Sequence, residues 1–401
     1  MISEKTPKFL RIGVLIDQLR YAGVEKIAVN EVLALRRMGF EAKLVVMQRG
    51  RLDKYVFKEI LENIPVVFLS DRLPFTFRFS FKFPILSFFS LFHLTFPFLS
   101  SPKVGRKEFD ILISHGTYTS FTAIALWKLR GIPFISYMWD PASYIVESVY
   151  SERIRFSLLL SLMKAIGMFV DKRILNNSRL ILTACKTHLS LLNTQSVAGK
   201  VQLLYPSTDP ASEVNRHKEN YMLVATAWKD GKEPEYLFEI AKRNKDLKIV
   251  IAGSWHPKEY QQCFMEKLNS LRLQEQITVT GALSEEKMRE IYGNALFFLQ
   301  FKADIGFGMP ALEAAANGCT FVIPEGQGVC DLFESGVDGF YIKEKDLEAM
   351  ITYIKLFERE KDLATKMGMA AWTKVKQKYS WSQHAYDLSR VCYIVTQGGL
   401  T

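Results

Sequence analysis

The sequence predicts an α/β protein made of two Rossmann-like, doubly wound domains that face a central cleft. Short apolar runs alternate with helix-period stretches along most of the chain, which is typical of a parallel sheet covered by helices. This series occurs twice, separated by a polar stretch. The length of 401 residues agrees with two domains of ordinary size.

Each series supplies several predicted strands. The first series contains Ile12–Ile16, Ala42–Met47, Ile64–Leu69, Ile111–Ser114, Phe134–Met138 and Leu180–Thr183. The second series contains Met222–Ala225, Ile249–Ala252, Ile277–Thr280, Leu296–Gln300 and Thr320–Ile323. Residues 206–220 begin with prolines and short polar residues, which favours a linker. We therefore expect one domain over 1–205 and a second over 221–380.

The cysteines and the first residues indicate a cytoplasmic protein. The five cysteines form no CxxC pair and no cluster with metal-ligand spacing, so we interpret them as reduced core residues. The sequence enters a strand at Ile12 without the basic, apolar and cleavage regions of a secretory signal.

Charge is distributed unevenly between the two halves. Residues 1–205 hold 28 Lys and Arg against 15 Asp and Glu, whereas the remainder holds 24 against 27. The basic half predicts an acidic partner. We find no zinc-finger spacing, RNP-like signature or basic zipper, so we expect no nucleic acid and favour an anionic membrane surface. A solvated basic face without a partner is the alternative.

Residues 71–100 have the most unusual composition, with ten phenylalanines among thirty residues. The apolar stretch 84–99 is shorter than the roughly twenty residues needed to span a bilayer. Together with the basic amphipathic segment 153–173, it favours a protein that lies on the inner face of the cell membrane and inserts only into the interface. The alternative is that these phenylalanines fill the domain's own core.

Two glycine-containing loops precede predicted helices, where the open amides of a helix start can bind an anion. Gly23 precedes a helix over Val24–Met38, although a plain turn would also explain it. A second loop contains Gly306 and Gly308 and enters a helix in which Pro310 occupies the first turn. Glu313 on that helix is placed to accept hydrogen bonds from sugar hydroxyls. As an isolated spacing, this loop could also be structural.

The second loop carries a resemblance to a known family. Residues 306–310, followed by Glu313-Ala314 and Asn317-Gly318, resemble the donor site of family 4 retaining glycosyltransferases, which have the GT-B fold. Residues 22–25 and 36–41 resemble this family's first loop and the end of its first helix. Residues 379–381 resemble the start of its C-terminal helix, which implies that residues 381–397 cross back onto the first domain.

The resemblance implies a role for each matching residue. Glu313 would hold the donor ribose, and the catalytic residues would be Lys232, at the departing diphosphate, and His115, at the transferred sugar. The main-chain N–H groups of the second loop would bind the sugar and phosphates, with Gly23 as a further donor-binding residue; these loop residues are Gly306, Phe307, Gly308 and Met309. An exposed loop lysine and a buried structural histidine are the alternatives for Lys232 and His115.

The resemblance also implies the reaction. The chain would move a sugar from a UDP- or GDP-linked donor to a glycan or lipid-linked acceptor, with retention of anomeric configuration and without a metal or other cofactor. No Asp-x-Asp is placed to chelate a divalent cation beside the diphosphate, which agrees with this expectation.

Two positions depart from the family pattern. Ile305 replaces the first Glu of the E-x7-E motif, with Asp304 one residue earlier, and Ala227 stands where an arginine normally precedes the phosphate lysine, or Trp228 if the alignment shifts by one. Lys229 is a candidate to replace the missing charge. These departures leave open a catalytically impaired nucleotide-sugar-binding or scaffold protein of the same fold at the membrane. An epimerase or phosphorylase would need acid, base or cofactor residues that we cannot place.

Overall fold

A computed structural model describes residues 10–19, 23–48, 63–72, 104–105, 107–151, 157–194, 199–229, 231–303 and 307–398. The chain divides into two compact units. The first unit combines Met1–Pro206 with Trp381–Thr401, and the second unit is Ser207–Ser380.

The described part of the first unit contains a sheet of seven parallel strands. They are β1 (Arg11–Gln18), β2 (Glu41–Gln48), β3 (Val66–Phe68), β4 (Ile111–His115), β5 (Phe134–Met138), β6 (Leu180–Thr183) and β7 (Val201–Leu203). The helices between them are α1 (Gly23–Arg37), α2 (Thr117–Arg130), α3 (Ala142–Ile145), α4 (Ser157–Asn177) and α5 (Lys186–Asn193). Every residue of β4, β5 and β6 is buried, as apolar runs of this length predict for the centre of a parallel sheet.

The strand order of this sheet is β3-β2-β1-β4-β5-β6-β7. The chain runs outward from β1 to β3 and then returns to β4 beside β1, where Ile12 pairs with Ile111. The order therefore reverses between β1 and β4. Loops that leave the carboxyl ends of two such strands diverge and leave a crevice, which is where ligands bind in open α/β sheets.

The described strands of the second unit are β8 (Tyr221–Ala225), β9 (Trp228–Lys229), β10 (Lys248–Ala252), β11 (Trp255–His256), β12 (Ile277–Gly281), β13 (Phe297–Leu299), β14 (Phe321–Pro324) and β15 (Phe340–Ile342). Six of them form a parallel sheet in the order β12-β10-β8-β13-β14-β15, and β11 and β9 form a separate pair. The helices of this unit are α6 (Tyr236–Arg243), α7 (Lys258–Ser270), α8 (Glu285–Asn294), α9 (Met309–Ala316), α10 (Leu347–Arg359) and α11 (Lys361–Lys378). The strand order reverses between β8 and β13.

The last helix, α12 (Trp381–Thr396), belongs to the first unit and packs on α1. Its buried face includes Trp381, His384, Leu388 and Cys392. Each unit has its own apolar core, in which every fully buried leucine, isoleucine or phenylalanine stabilises the fold by about 1.5–3 kcal/mol.

All eleven predicted strand segments contain a strand. The predicted linker, residues 206–220, forms neither helix nor strand. Most of residues 206–220 belong to the second unit, because their backbone is hydrogen-bonded to it. Ala211 N donates to Ala316 O at 2.8 Å, and Glu219 N donates to Asn294 O at 2.8 Å.

Of the segment predicted to insert at a membrane, residues 73–100 lie outside the described residues. The second predicted membrane segment, 153–173, is described from Ser157 onward as part of α4. Among the described helices, none combines the length and the hydropathy needed to cross a bilayer.

Candidate active site

The second unit has a small basic cavity at the point where its strand order reverses. The cavity measures about 20 Å³ and lies between the loops that follow β8 and β13. Thr226 and Lys232 contribute from the first loop, and Gln300 and Lys302 from the second. The other lining residues are mostly apolar, and a set of two lysines and two neutral polar side chains at one strand edge is suited to an anion.

Lys232 is held in place by a short two-stranded ladder. Trp228 in β9 pairs with Trp255 in β11, and their rings stack with centroids 5.1 Å apart. Lys232 N then donates to Lys229 O at 3.0 Å, which closes the turn that carries the side chain. Burial, followed by the positive charges of Lys229 and Lys302, lowers the pKa of Lys232 to about 8. A cation in this environment gains most from an anionic ligand.

Lys302 is a residue that our sequence reasoning missed. Its Nζ lies 2.9 Å from Oε1 of Glu233, and Lys345 Nζ lies 2.7 Å from the other carboxylate oxygen. Glu233 adopts a left-handed backbone, with φ of 50°, immediately after Lys232. The hydrogen bonds from Lys302 and then Lys345 lower the pKa of Glu233. One carboxylate therefore holds two lysines, of which only Lys302 lines the cavity.

The predicted glycine-started helix is α9. Gly308 caps it with φ of 92° and ψ of 47°, a left-handed conformation that costs a residue with a Cβ about 1–2 kcal/mol. A Cβ at this position would lie 2.8 Å from Oε1 of Gln327. Gln327 in turn accepts a hydrogen bond of 3.1 Å from Gln300, a cavity residue. These contacts place the start of α9 next to the basic cavity.

The other predicted donor residues have distinct positions around α9. Met309 begins the helix, and the buried Phe307 accepts a 2.7 Å hydrogen bond from Val329 N through its carbonyl. Glu313 is partly accessible, whereas its helix neighbours on both sides are buried. Gly306, together with Asp304 and Ile305, lies outside the described residues.

A larger, apolar cavity of about 240 Å³ occupies the reversal point of the first unit. Its walls come from the loops after β4 and β5, from Val24 near the start of α1 and from α4. Gly23, the predicted donor-binding residue of this unit, is the first residue of α1 and adjoins Val24. The polar lining groups include His115 and Asp140.

His115 lines this cavity, but both its ring nitrogens have partners within the protein. Nδ1 accepts a hydrogen bond from Trp139 Nε1 at 3.1 Å, so the proton is on Nε2. Nε2 donates to Oε2 of Glu31 at 2.8 Å. This geometry favours the structural alternative for His115 over a hydrogen bond to a sugar.

Glu31 also binds His384 of α12. His384 Nδ1 donates to Tyr205 O at 2.8 Å, and Nε2 lies 2.9 Å from Oε1 of Glu31. Burial alone raises the pKa of Glu31, but the charge and hydrogen bonds of His115 and His384 outweigh it and lower the pKa to about 2. With Glu31 ionised, its two carboxylate oxygens accept hydrogen bonds from His115 and His384. The network connects α1, β4 and α12.

Asp140 lies at the carboxyl end of β5, on the wall of the same cavity. Burial raises its pKa to about 6, and Oδ1 has no hydrogen-bond partner among the described residues. Nε2 of His188 is 3.9 Å from Oδ1, beyond hydrogen-bond distance, and burial lowers the pKa of His188. A carboxyl group with these properties suits proton transfer or recognition of a hydroxyl.

The cavity wall depends on close packing between α3 and α4. Asp171 of α4 accepts hydrogen bonds from the backbone of Ala142 and Ser143 at 2.8 and 3.0 Å. Gly167 permits the approach, since a Cβ there would lie 2.9 Å from Ser143 N. The opposite side of α4 exposes large apolar side chains, including Leu158 and Phe169, which are 78% and 70% accessible.

Known protein families match both halves of the chain. Residues 21–212 match the family described as Glycosyltransferase Family 4, and residues 207–373 match Glycosyl transferases group 1. The chain belongs to the group 1, family 4 glycosyltransferases.

Curated relatives of this glycosyltransferase are distant. It is 26% identical over 157 residues to the sucrose synthase of Melioribacter roseus and 27% identical over 155 residues to the mannosylfructose-phosphate synthase of Agrobacterium fabrum. These matches cover 35% and 37% of the glycosyltransferase, but only 20% and 34% of the respective relatives. An uncharacterised glycosyltransferase of Methanocaldococcus jannaschii is 19% identical over 73% of this chain and 77% of its own.

Solved structures show that the fold is GT-B. HepE of Anabaena, in complex with UDP and glucose, superposes with a TM-score of 0.72 at 14% identity, covering 96% of this chain and 99% of HepE. The sucrose-phosphate synthase of Thermosynechococcus elongatus gives 0.76 at 13% identity, with 96% and 99% coverage. The fold and family predicted from the sequence are thus confirmed.

Proposed function

We propose that this chain transfers a sugar from a UDP- or GDP-linked donor to a lipid-linked or glycan acceptor, with retention of anomeric configuration. The observation that carries the proposal is the pairing of Lys232 with the glycine-started helix α9 at one strand edge of the second unit. Such an edge supplies a cation and open backbone amides to a diphosphate. The complexes of HepE with UDP support testing UDP donors first.

Charge neutralisation by lysine supports a metal-independent reaction. Lys232 is half-buried and close to the charges of two further lysines, so positive charge is available where the leaving diphosphate would develop negative charge. In the proposed reaction, the leaving phosphate accepts the proton of the incoming hydroxyl, and Glu313 holds the donor ribose.

The apolar cavity of the first unit supports an acceptor with an apolar portion. Its walls are mostly hydrocarbon, so the hydrophobic effect favours a lipid segment over a free glycan there. Asp140 is the polar group proposed to orient the acceptor hydroxyl. The acceptor and the donor would then use different units of the chain.

The exposed face of α4 supports binding to an anionic membrane at the cytoplasmic side. Leu158, Leu162 and Phe169 are 78%, 57% and 70% accessible, and Lys164, Lys172 and Arg173 flank them. Exposed apolar side chains beside basic ones are typical of helices that lie in the membrane interface.

Sedimentation with vesicles tests the membrane proposal. The triple substitution Leu158→Ser, Leu162→Ser, Phe169→Ser is expected to reduce binding to vesicles containing phosphatidylglycerol, while Leu129→Ser, another exposed leucine of the first unit, leaves binding unchanged. Equal binding by all three proteins would remove this part of the proposal.

A nucleotide panel followed by turnover tests the reaction. Thermal stabilisation by UDP, GDP or ADP identifies the donor base, and incubation with the matching nucleotide sugars then identifies the sugar. We expect turnover that survives EDTA, with product of unchanged anomeric configuration by NMR. Inverted product or loss of turnover in EDTA would contradict the respective part of the mechanism.

The alternative is a nucleotide-sugar-binding or scaffold protein with impaired catalysis. Ala227, in place of an arginine, favours it, because one positive charge at a leaving diphosphate can change the rate by orders of magnitude. Nucleotide binding without any donor turnover would support this alternative.

A further inference from the structure

The missing arginine at position 227 raises the question of what balances the donor's second negative charge. Lys229 was the substitute suggested by the sequence, but it is exposed and does not line the basic cavity. Lys302 does line it, on the loop that follows β13. The two lysines of the cavity come from opposite sides of the strand-order reversal, 70 residues apart in the chain, so sequence spacing does not connect them.

We propose that Lys302 binds the diphosphate of the donor together with Lys232 and replaces the absent arginine. This inference rests on the proposed function, because it assigns a residue to the donor site. Its ligand class is defined by chemistry alone: Lys232 and Lys302 line one small cavity together with Thr226 and Gln300, and two neighbouring lysines are suited to a diphosphate.

The surroundings of Lys302 hold it in a fixed position. Gln300 Nε2 donates to Lys302 O at 3.0 Å, which fixes the turn after β13. On the side-chain end, Glu233 Oε1 accepts from Lys302 Nζ at 2.9 Å. A preorganised cation loses little side-chain entropy when the ligand binds.

Glu233 does not cancel the positive charge of the cavity, because its single carboxylate is shared between Lys302 and Lys345. Lys345 Nζ lies 2.7 Å from its second oxygen, so two lysines face one carboxylate. Burial and then the positive charges of Lys229 and Lys302 lower the pKa of Lys232, so Lys302 still acts on Lys232 as a positive charge. A diphosphate would relieve the repulsion between the two lysines.

Lys345 provides a matched control for a binding experiment. Lys302→Gln and Lys345→Gln each remove one partner of Glu233, but only the first removes a cavity residue. We expect Lys302→Gln to weaken calorimetrically measured binding of inorganic pyrophosphate by about tenfold, and Lys345→Gln to change it by less than about twofold. Thermal unfolding of both variants checks that they remain folded.

Restoring the family's charge arrangement gives a second readout. Ala227 is exposed between the cavity residues Thr226 and Trp228, so an arginine can be accommodated there. Ala227→Arg on the Lys302→Gln background is expected to regain most of the lost pyrophosphate affinity and of kcat/KM with the donor.

The outcomes separate this inference from the proposed function. Pyrophosphate binding that depends on Lys302, without any sugar transfer, would support the inference and contradict the proposed reaction. Sugar transfer that is unaffected by Lys302→Gln would support the proposed reaction and contradict the inference. Equal losses in the Lys302 and Lys345 variants, or no pyrophosphate binding by the unmodified chain, would overturn the inference.

Discussion

At the scale of single residues, Glu31 is the acid on which the buried network of the first unit depends. Replacing it by alanine leaves His384 in a fully buried site without its carboxylate, so we expect Glu31→Ala to lower the free energy of unfolding by about 3 kcal/mol. Urea unfolding at neutral pH measures the loss. A change below about 0.5 kcal/mol would contradict a stabilising role for the Glu31 carboxylate.

Glu31→Gln tests the charge itself through pH. The pKa of Glu31 is lowered in the folded chain to about 2 from an ordinary 4.5, so its contribution to stability is complete above pH 4.5 and is lost as the pH falls through about 2. The difference in unfolding free energy between the unmodified chain and Glu31→Gln should therefore shrink as the pH falls below 4.5. A difference that stays constant with pH would contradict this assignment.

The Lys232 side chain is expected to make pyrophosphate binding weaken as the pH rises. Because burial and neighbouring lysines lower its pKa to about 8, the side chain loses its charge as the pH rises through that value. We expect pyrophosphate binding to weaken between about pH 7.5 and about pH 9.5, and Lys232→Arg to flatten this dependence because arginine stays charged. Calorimetric titrations across the range measure both effects. The same slope in both proteins would exclude Lys232 as the titrating group.

The ionised Asp140 side chain is expected to lower the stability of the fold and to support turnover of the acceptor. Its pKa is raised by burial from 3.8 to about 6, so ionisation opposes folding and this cost appears as the pH rises through that interval. Asp140→Asn should increase the unfolding free energy at neutral pH by about 1–3 kcal/mol while reducing acceptor turnover. Chemical unfolding and turnover assays on the same preparation test this. Lower stability at neutral pH would show that the carboxylate has a partner when ionised.

At the scale of secondary-structure elements, the loop that enters α9 depends on Gly308. Gly308→Ala would place a Cβ on a left-handed backbone and too close to Gln327. We expect this substitution to destabilise the second unit by about 1–3 kcal/mol and to weaken pyrophosphate binding. Gly326→Ala is the control, since its φ of 83° imposes similar strain but its Cβ would meet no atom within 4 Å. Equal effects on binding would assign the loss to backbone strain alone.

The elements also show why the sequence predicts some parts of the site and misses others. Gly308, Pro310 and the strand before them form a local pattern, so the loop and its helix were predictable. The partners of His115 were not predictable from a local pattern, because Glu31 lies 84 residues away in the sequence. Glu31 in turn contacts His384, which lies 353 residues further along the chain. The two-residue strands β9 and β11 were missed for a similar reason, since only their pairing makes them strands.

At the scale of the whole molecule, the chain enters the second unit once and returns to complete the first. Helix α12 contributes His384 to the network around Glu31 and packs on α1. The first unit is therefore formed by two segments distant in sequence, and its stability depends on a helix made after the second unit.

Truncation after Ser380 tests this dependence. It removes the buried Trp381 and His384 and leaves one oxygen of the buried Glu31 carboxylate without its hydrogen-bond partner, which we expect to destabilise the first unit by several kcal/mol. Hydrogen exchange of the β1 and β4 amides should accelerate, whereas exchange of β8 and pyrophosphate affinity should change little, because the donor residues belong to the second unit. A chain that lacks only residues 399–401 keeps α12 and should match the unmodified protein. Equal acceleration in both sheets would mean that α12 stabilises the chain as a whole, and unchanged exchange would mean that the network contributes little.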